Sequence, residues 1–160
     1  MLMKPIGVFI IFLLLCLFGC NKDSSYIPVT KFDPTRDAAK DIADALTEAR
    51  TTGRNVILDV GGEWCIWCKR LDEFFAQNDS VKEFMEKYYV VVKVNWSKEN
   101  KNEAVLSRYP KIPGYPHLFV LDASGNLLHS QNTGDLESGD QHDRDKVMAF
   151  LQQWVPGAEK

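Results

Sequence analysis

An α/β domain, with a central mixed sheet and helices on both faces, is the fold class that the order of hydrophobic patterns predicts. Three observations carry it. Short apolar or β-branched runs at 56–60, 89–94 and 117–121 are separated by segments whose apolar residues recur at helical spacing. Strands separated by helices imply parallel crossovers. The turn signal Asp122-Ala123-Ser124-Gly125, followed by Leu127 to Ser130, implies an antiparallel hairpin near the end of the chain.

The elements follow in order. Thr35 to Arg50 sets Ile42, Leu46 and Ala49 on one helical face, and Gly53 ends it. Val56-Ile57-Leu58-Asp59-Val60 is a short apolar run, the pattern of a buried strand. Cys68, Leu71 and Phe75 recur at helical spacing, and a second short helix with Val81, Phe84, Met85 and Tyr88 inward starts at Asn78 or Asp79, both plausible caps. Tyr89 to Val94 is the strongest strand signal. A weaker helix is predicted over 102–109, with Val105, Leu106 and Tyr109 inward. The two prolines of Lys111-Ile112-Pro113-Gly114-Tyr115-Pro116 exclude a helix interior. His117 to Leu121 is the next strand. Residues 131–142 read as a polar, solvated loop, whose acids lack the spacing of a calcium loop. Asp143 caps a last helix with Val147, Phe150, Leu151 and Trp154 inward, and Pro156-Gly157 stops it.

The chain has 160 residues, a net charge of −3 and 45% hydrophobic residues. That composition excludes a disordered or collagen-like chain and a polytopic membrane protein, and one domain is the natural reading. It lacks the basic excess of a nucleic-acid binder, so no nucleic-acid partner is expected.

Residues 1–20 read as an address. Lys4 precedes an apolar run from Ile6 to Phe18, 13 residues long, where a spanning helix needs about 20. This is the pattern of a secretory signal peptide. Leu17-Phe18-Gly19-Cys20 resembles the bacterial lipobox, which implies cleavage before Cys20 and acylation of Cys20. The expected organisation is a signal peptide over 1–19, a lipidated tether over 20–34, a domain over 35–155 and a tail over 156–160.

The chemical centre is Trp64-Cys65-Ile66-Trp67-Cys68-Lys69. Two cysteines three apart, between a strand and a helix, are close enough for a disulfide. Cys65 at a helix N-terminus gains from unpaired N–H groups and the helix dipole, which favour the thiolate that attacks disulfides. Cys68, one turn on, is placed to act second. A static disulfide and half of a zinc site are the competing readings; the latter lacks a second CxxC or paired histidines. No metal and no cofactor beyond the Cys65–Cys68 pair are expected.

With these residues in place, 35–155 resembles the thioredoxin-like proteins, in four features in order. Trp64-Cys65-Ile66-Trp67-Cys68-Lys69 matches the family's WCxxCK. Asp59 stands where the family has a buried acid, and Lys93 where it has an accompanying lysine. Gly114-Tyr115-Pro116-His117 matches its cis-proline loop. The stretch from Asn78 to Asn95 looks like one subgroup, exported proteins of this type and the C-terminal domain of the transmembrane thiol-disulfide interchange protein. Ile66-Trp67 departs from the common Gly-Pro dipeptide and lacks the histidine of strong oxidants, a lean towards reduction. Gly61-Gly62 replaces bulkier residues and implies local flexibility.

The resemblance implies roles. Asp59 relays a proton to or from Cys68, against the plain reading of an acid on a solvated strand face. Lys93 supports Asp59 or is simply solvated. Pro116, if cis, opens the backbone for a substrate's extended chain. Trp64 and Tyr115 line the binding surface; Trp67 does so or caps the helix. The implied protein is a lipid-anchored, exported thiol–disulfide oxidoreductase of the bacterial envelope, facing the periplasm or exterior. Its partners are client proteins with disulfides, a membrane thiol reductant, and the lipid membrane through acylated Cys20. Two alternatives stand: an oxidant or isomerase using the same residues, and a non-catalytic adaptor holding copper through Cys65, Cys68 and His117.

Overall fold

The computed structural model describes residues 26–158. The signal peptide expected over 1–19 and the lipidation site Cys20 lie outside the described residues.

Helix α1, Ala38–Thr52, starts where the Asp37 side chain accepts from the Lys40 N–H at 3.1 Å, and ends at Gly53, whose φ of 68° lets its N–H turn back to the Ala49 carbonyl. Strand β1, Asn55–Gly61, is buried along its whole length. Helices α2, Ile66–Gln77, and α3, Asp79–Tyr88, follow. Strand β2, Tyr89–Asn95, then pairs with β1 in parallel. After a one-turn helix α4, Glu103–Leu106, come strands β3, His117–Leu121, and β4, Leu127–Asn132, both antiparallel to their neighbours. The sheet order is β2-β1-β3-β4. Helix α5, Arg144–Gln153, is capped by the Asp143 side chain on the Asp145 and Lys146 N–H groups.

The alternation of β1 divides the core. Val56, Leu58 and Val60 face one way, with Val90, Val92, Val94, Phe119 and Leu121, under Ile42, Ala45 and Ala49 of α1. Ile57 faces the other way, with Leu118 and Val120, under Leu71 of α2, Val81 and Met85 of α3 and Val147, Phe150 and Leu151 of α5. Side chains as fully enclosed as Leu58 and Leu71 contribute about 1.5–3 kcal/mol each by burial. The mixed sheet with helices on both faces is as predicted.

Three segments differ from expectation. The tether expected over 20–34 gives way to packed structure from within: Val29 bridges Val92 at the outer edge of β2, accepting from the Lys93 N–H at 3.2 Å, and Val29 and Phe32 are buried. Two isolated apolar anchors make no periodic pattern, so the segment reads as solvated from sequence. The helix expected over 102–109 shrinks to Glu103–Leu106, because Asn102 sits at φ 47° and the turn closes at Ser107. Tyr109 still packs inward, stacked on Phe119 at 4.9 Å. The loop 131–142 is not solvated throughout. A 3-10 turn at Thr133–Leu136 and a ribbon of β5, Glu137–Ser138, and β6, Gln141–His142, bury Thr133, Leu136 and His142.

Candidate active site

Cys65 is the N-cap of α2, in extended conformation, and its Sγ accepts from the Cys68 N–H at 3.1 Å. The two cysteines form a disulfide with their Cα atoms 5.2 Å apart. Cys65 is 4% exposed and Cys68 1%. An amide donor on Sγ at a helix N-terminus stabilises a thiolate there once the bond is reduced.

The glycines before the pair serve space. A Cβ on Gly61 would lie 2.5 Å from Cys68 Sγ and 3.0 Å from Phe32 Cζ; one on Gly62 would strike the Trp64 indole and lie 2.8 Å from the Trp96 carbonyl oxygen. Flexibility, the sequence reading of Gly61-Gly62, is replaced by close approach: β1 must end without side chains for the disulfide and the indole to fit.

Phe32, Cys65 and Cys68 form one buried cluster, with Trp67 and Tyr115 packed against it. The Tyr115–Pro116 peptide is cis, so Pro116 has the geometry that the resemblance implies. Thr133 Oγ1 donates to the Pro116 carbonyl at 2.6 Å. Trp64 is 56% exposed and Ile66 61%. The Trp64 indole N–H donates to the Trp96 carbonyl at 2.8 Å, and its ring meets Tyr115 edge-on at 5.8 Å. Trp96 stacks on Tyr115 at 4.8 Å. Three aromatic rings thus join the loop before Cys65 to the loop before Pro116. A groove of about 550 Å³ opens beside Trp96 and Tyr115, towards Leu106, Lys111 and Ile112. Trp67 turns elsewhere: the Arg70 guanidinium lies 4.5 Å from its ring centroid and the His142 ring meets it edge-on at 5.8 Å.

Asp59 is buried, opposite Lys93 in the β1–β2 register. Lys93 Nζ donates to Asp59 Oδ2 at 2.7 Å and to Asp72 Oδ1 at 2.5 Å, while Asp59 Oδ1 is buried without a partner. The solvated-face readings of Asp59 and Lys93 are therefore set aside. Burial would push the Lys93 pKa down, but the charge and hydrogen bond of Asp59, helped by Asp72, more than offset it and hold it above the ordinary value. Burial pushes the Asp72 carboxyl up, against the pull of Lys93. Asp59 shares its face of β1 with Gly61, the residue against Cys68 Sγ.

His117 is on the other face of the sheet, its ring 4.7 Å from Phe119. Its Nε2 pairs with Ser130 Oγ at 2.8 Å, and burial, then His129, pushes its pKa down to about 4. It does not join the cysteines. Among the described residues, no group of three or more His, Cys, Asp or Glu is placed to hold a metal ion. No helix among them is long and apolar enough to cross a membrane.

Sequence reasoning missed Phe32, Asp72, Trp96 and Thr133. Asp72 carried a usable signal, four residues after Cys68 on α2 and so on its face. Phe32 and Thr133 carried none, since their contacts are made across the fold.

A disulfide at the head of a helix, beside a cis-proline loop on a mixed four-stranded sheet, defines a thioredoxin-fold protein with a redox-active cysteine pair. The chain belongs to the thioredoxin-like family: the family model of that description matches residues 37–123, more than half of the chain. The chain is similar to the thiol:disulfide interchange protein DsbD of Pseudomonas sp. (strain JR1 / K1), 29% identical over 96% of this chain and 24% of that protein. It is also similar to the disulfide bond reductase DsbH of Chlamydia pneumoniae, 27% identical over 54% of this chain and 57% of that protein. The chain thus spans about a quarter and just over half of these relatives' lengths. Among solved structures, a disulphide isomerase from Xylella fastidiosa Temecula1 shares the fold with a TM-score of 0.67 at 21% identity, covering 79% of this chain and 97% of that one. The C-terminal domain of Neisseria meningitidis DsbD in the oxidised form does so at 0.54 and 22%, covering 74% and 96%.

Proposed function

We propose that this protein is a thiol–disulfide oxidoreductase of the bacterial envelope that reduces disulfides in client proteins. The observation that carries the reading is the Cys65–Cys68 disulfide at the α2 N-terminus, with the Cys68 amide on Cys65 Sγ. Similarity to proteins named for thiol:disulfide interchange and for disulfide bond reduction supports it.

In the reduced protein the Cys65 thiolate attacks one sulfur of a client disulfide. A mixed disulfide forms and the client's other sulfur leaves as a thiolate. Cys68 then loses its proton and attacks Cys65 Sγ. The client departs with both sulfurs reduced, two electrons having passed from the dithiol, which ends as the Cys65–Cys68 disulfide. Asp59, whose free Oδ1 lies on the face of β1 that carries Gly61, takes the Cys68 proton through water, and Lys93 holds Asp59 in place. Pro116 presents its backbone to the client chain, and Trp64 and Tyr115 contact it, with Trp67 at the edge of that surface. A membrane thiol reductant restores the dithiol. Cleavage after Gly19 and acylation of Cys20 tether the domain to the membrane.

The test is the equilibrium reduction potential of Cys65–Cys68, with Cys68→Ser as a trap for mixed disulfides. A potential below about −220 mV and a client held on Cys65 support the reductase; a value above about −150 mV makes the protein an oxidant or isomerase working through the same residues. Tight stoichiometric copper binding that is lost in Cys68→Ala would instead favour the adaptor.

A further inference from the structure

We propose that Phe32 is a positioning residue that seals the Cys68 thiol from solvent and keeps it protonated until Cys65 is engaged. The inference deepens the reading of Cys68 as the resolving thiol and rests on it.

Phe32 lies 36 positions before Cys68, outside any helix or strand, yet it is enclosed with both cysteines. Its ring edge reaches the end of β1: the position of a Cβ on Gly61 is 3.0 Å from Phe32 Cζ and 2.5 Å from Cys68 Sγ. Ring and sulfur therefore crowd the same glycine. Lys93 Nζ lies 4.2 Å from the ring centroid. The ammonium already donates to Asp59 and Asp72, and the ring covers it on a further side by a cation–π contact. The segment is held on both sides of Phe32. Val29 accepts from the Lys93 N–H at 3.2 Å, and Pro34 accepts from the Asn100 side-chain amide at 2.9 Å. Such anchoring makes the ring a fixed wall.

The chemical consequence concerns the reduced state. A thiol held against an aromatic ring and away from water ionises at higher pH, because burial disfavours the charged form. Cys68 then does not compete with Cys65 for clients, and small oxidants do not reach it. It is activated only when a proton acceptor, Asp59, is brought into play across the same enclosed space.

The test is alkylation of Cys68 by iodoacetamide in the reduced full chain, in a Cys65→Ser background, followed by mass spectrometry across pH. In the Phe32-containing protein Cys68 should react at least about tenfold more slowly than in the same chain in urea. Phe32→Ala should speed the reaction about tenfold at pH 7 and move its pH profile down by about one unit, with the far-UV circular dichroism unchanged. Phe32→Leu, which restores bulk, should restore protection. A rate and pH profile unmoved by Phe32→Ala would overturn the proposal. Should that variant not fold, Phe32→Val, which removes the ring but keeps a smaller apolar side chain, takes its place: faster alkylation than in the Phe32-containing protein upholds the proposal, and an unmoved rate, or a Cys68 that already reacts in the Phe32-containing protein as fast as in urea, overturns it. Alkylation needs no client and no turnover. A native pair that fails to equilibrate with glutathione would thus sink the oxidoreductase reading while the Cys68 rates still judge Phe32.

Discussion

Thr133 Oγ1 donates to the carbonyl of Pro116 across 17 positions of sequence, at 2.6 Å, in a buried setting. The turn that follows β4 is thereby fastened to the loop beside the cysteines. Thr133→Val keeps the shape and removes the donor, which leaves a carbonyl without that partner. The expected cost is about 1–3 kcal/mol of stability, read by urea denaturation. Slower reduction of a protein disulfide, at an unchanged Cys65–Cys68 potential, would show that the bond positions the loop. Stability and rate both unchanged would remove Thr133 from the site.

Lys93 is the charge that two carboxylates share. Lys93→Met leaves Asp59 enclosed with an uncompensated charge, and about 3–5 kcal/mol should be lost near pH 7. Adding Asp59→Asn should return part of it, because the stranded charge goes too. The pH dependence has a definite sign. Folding raises the Lys93 pKa above its ordinary 10.5, so its contribution is whole below that value and fades as pH rises through the higher folded-state value. Denaturation at pH 8 and pH 11, with and without Lys93, measures it.

Gly61 marks the closest approach of backbone and sulfur. Gly61→Ala sets a methyl 2.5 Å from Cys68 Sγ, and overpacking of this kind costs about 1–3 kcal/mol. Thermal unfolding of the oxidised protein should show the loss. An alanine accepted without loss would mean that the sulfur moves aside freely.

His117 supplies an acid limit. Its folded-state pKa is lowered to about 4 from 6.5, so its contribution is whole above 6.5 and is lost as pH falls from there towards 4. A shift of that size corresponds to roughly 3 kcal/mol across the window. His117→Leu should flatten the slope of stability against pH between 6.5 and 4. An unchanged slope would assign the acid sensitivity to other groups.

Much of this was legible in the chain. Tyr89 to Val94 announces a strand because β-branched side chains run through it almost continuously, and His117 to Leu121 because it is a short apolar run bounded by Pro116 and the Asp122–Gly125 turn. Cys65 and Cys68 announce a redox pair because their spacing on a helix start has few other uses. What stayed hidden depends on distance in sequence. Phe32 and Thr133 are single residues in aperiodic segments, and their partners are 36 and 17 positions away. His117 reads as adjacent to the site because it follows Pro116, but strand alternation sends its ring to the far side of the sheet. The polarity of 131–142 conceals a ribbon because most of its side chains do face water, and Thr133, Leu136 and His142 alone among them are buried.

The bridge between Val29 and Val92 has a consequence for solubility. β2 is one of the two edge strands of the sheet, and an open strand edge is a template for another chain. A single bridged residue interrupts that template at mid-strand. A chain trimmed to begin at Thr35, the start expected from sequence, would bare the edge and should self-associate in sedimentation runs where the full chain does not. A trimmed chain that stayed monomeric would show that the edge needs no cover.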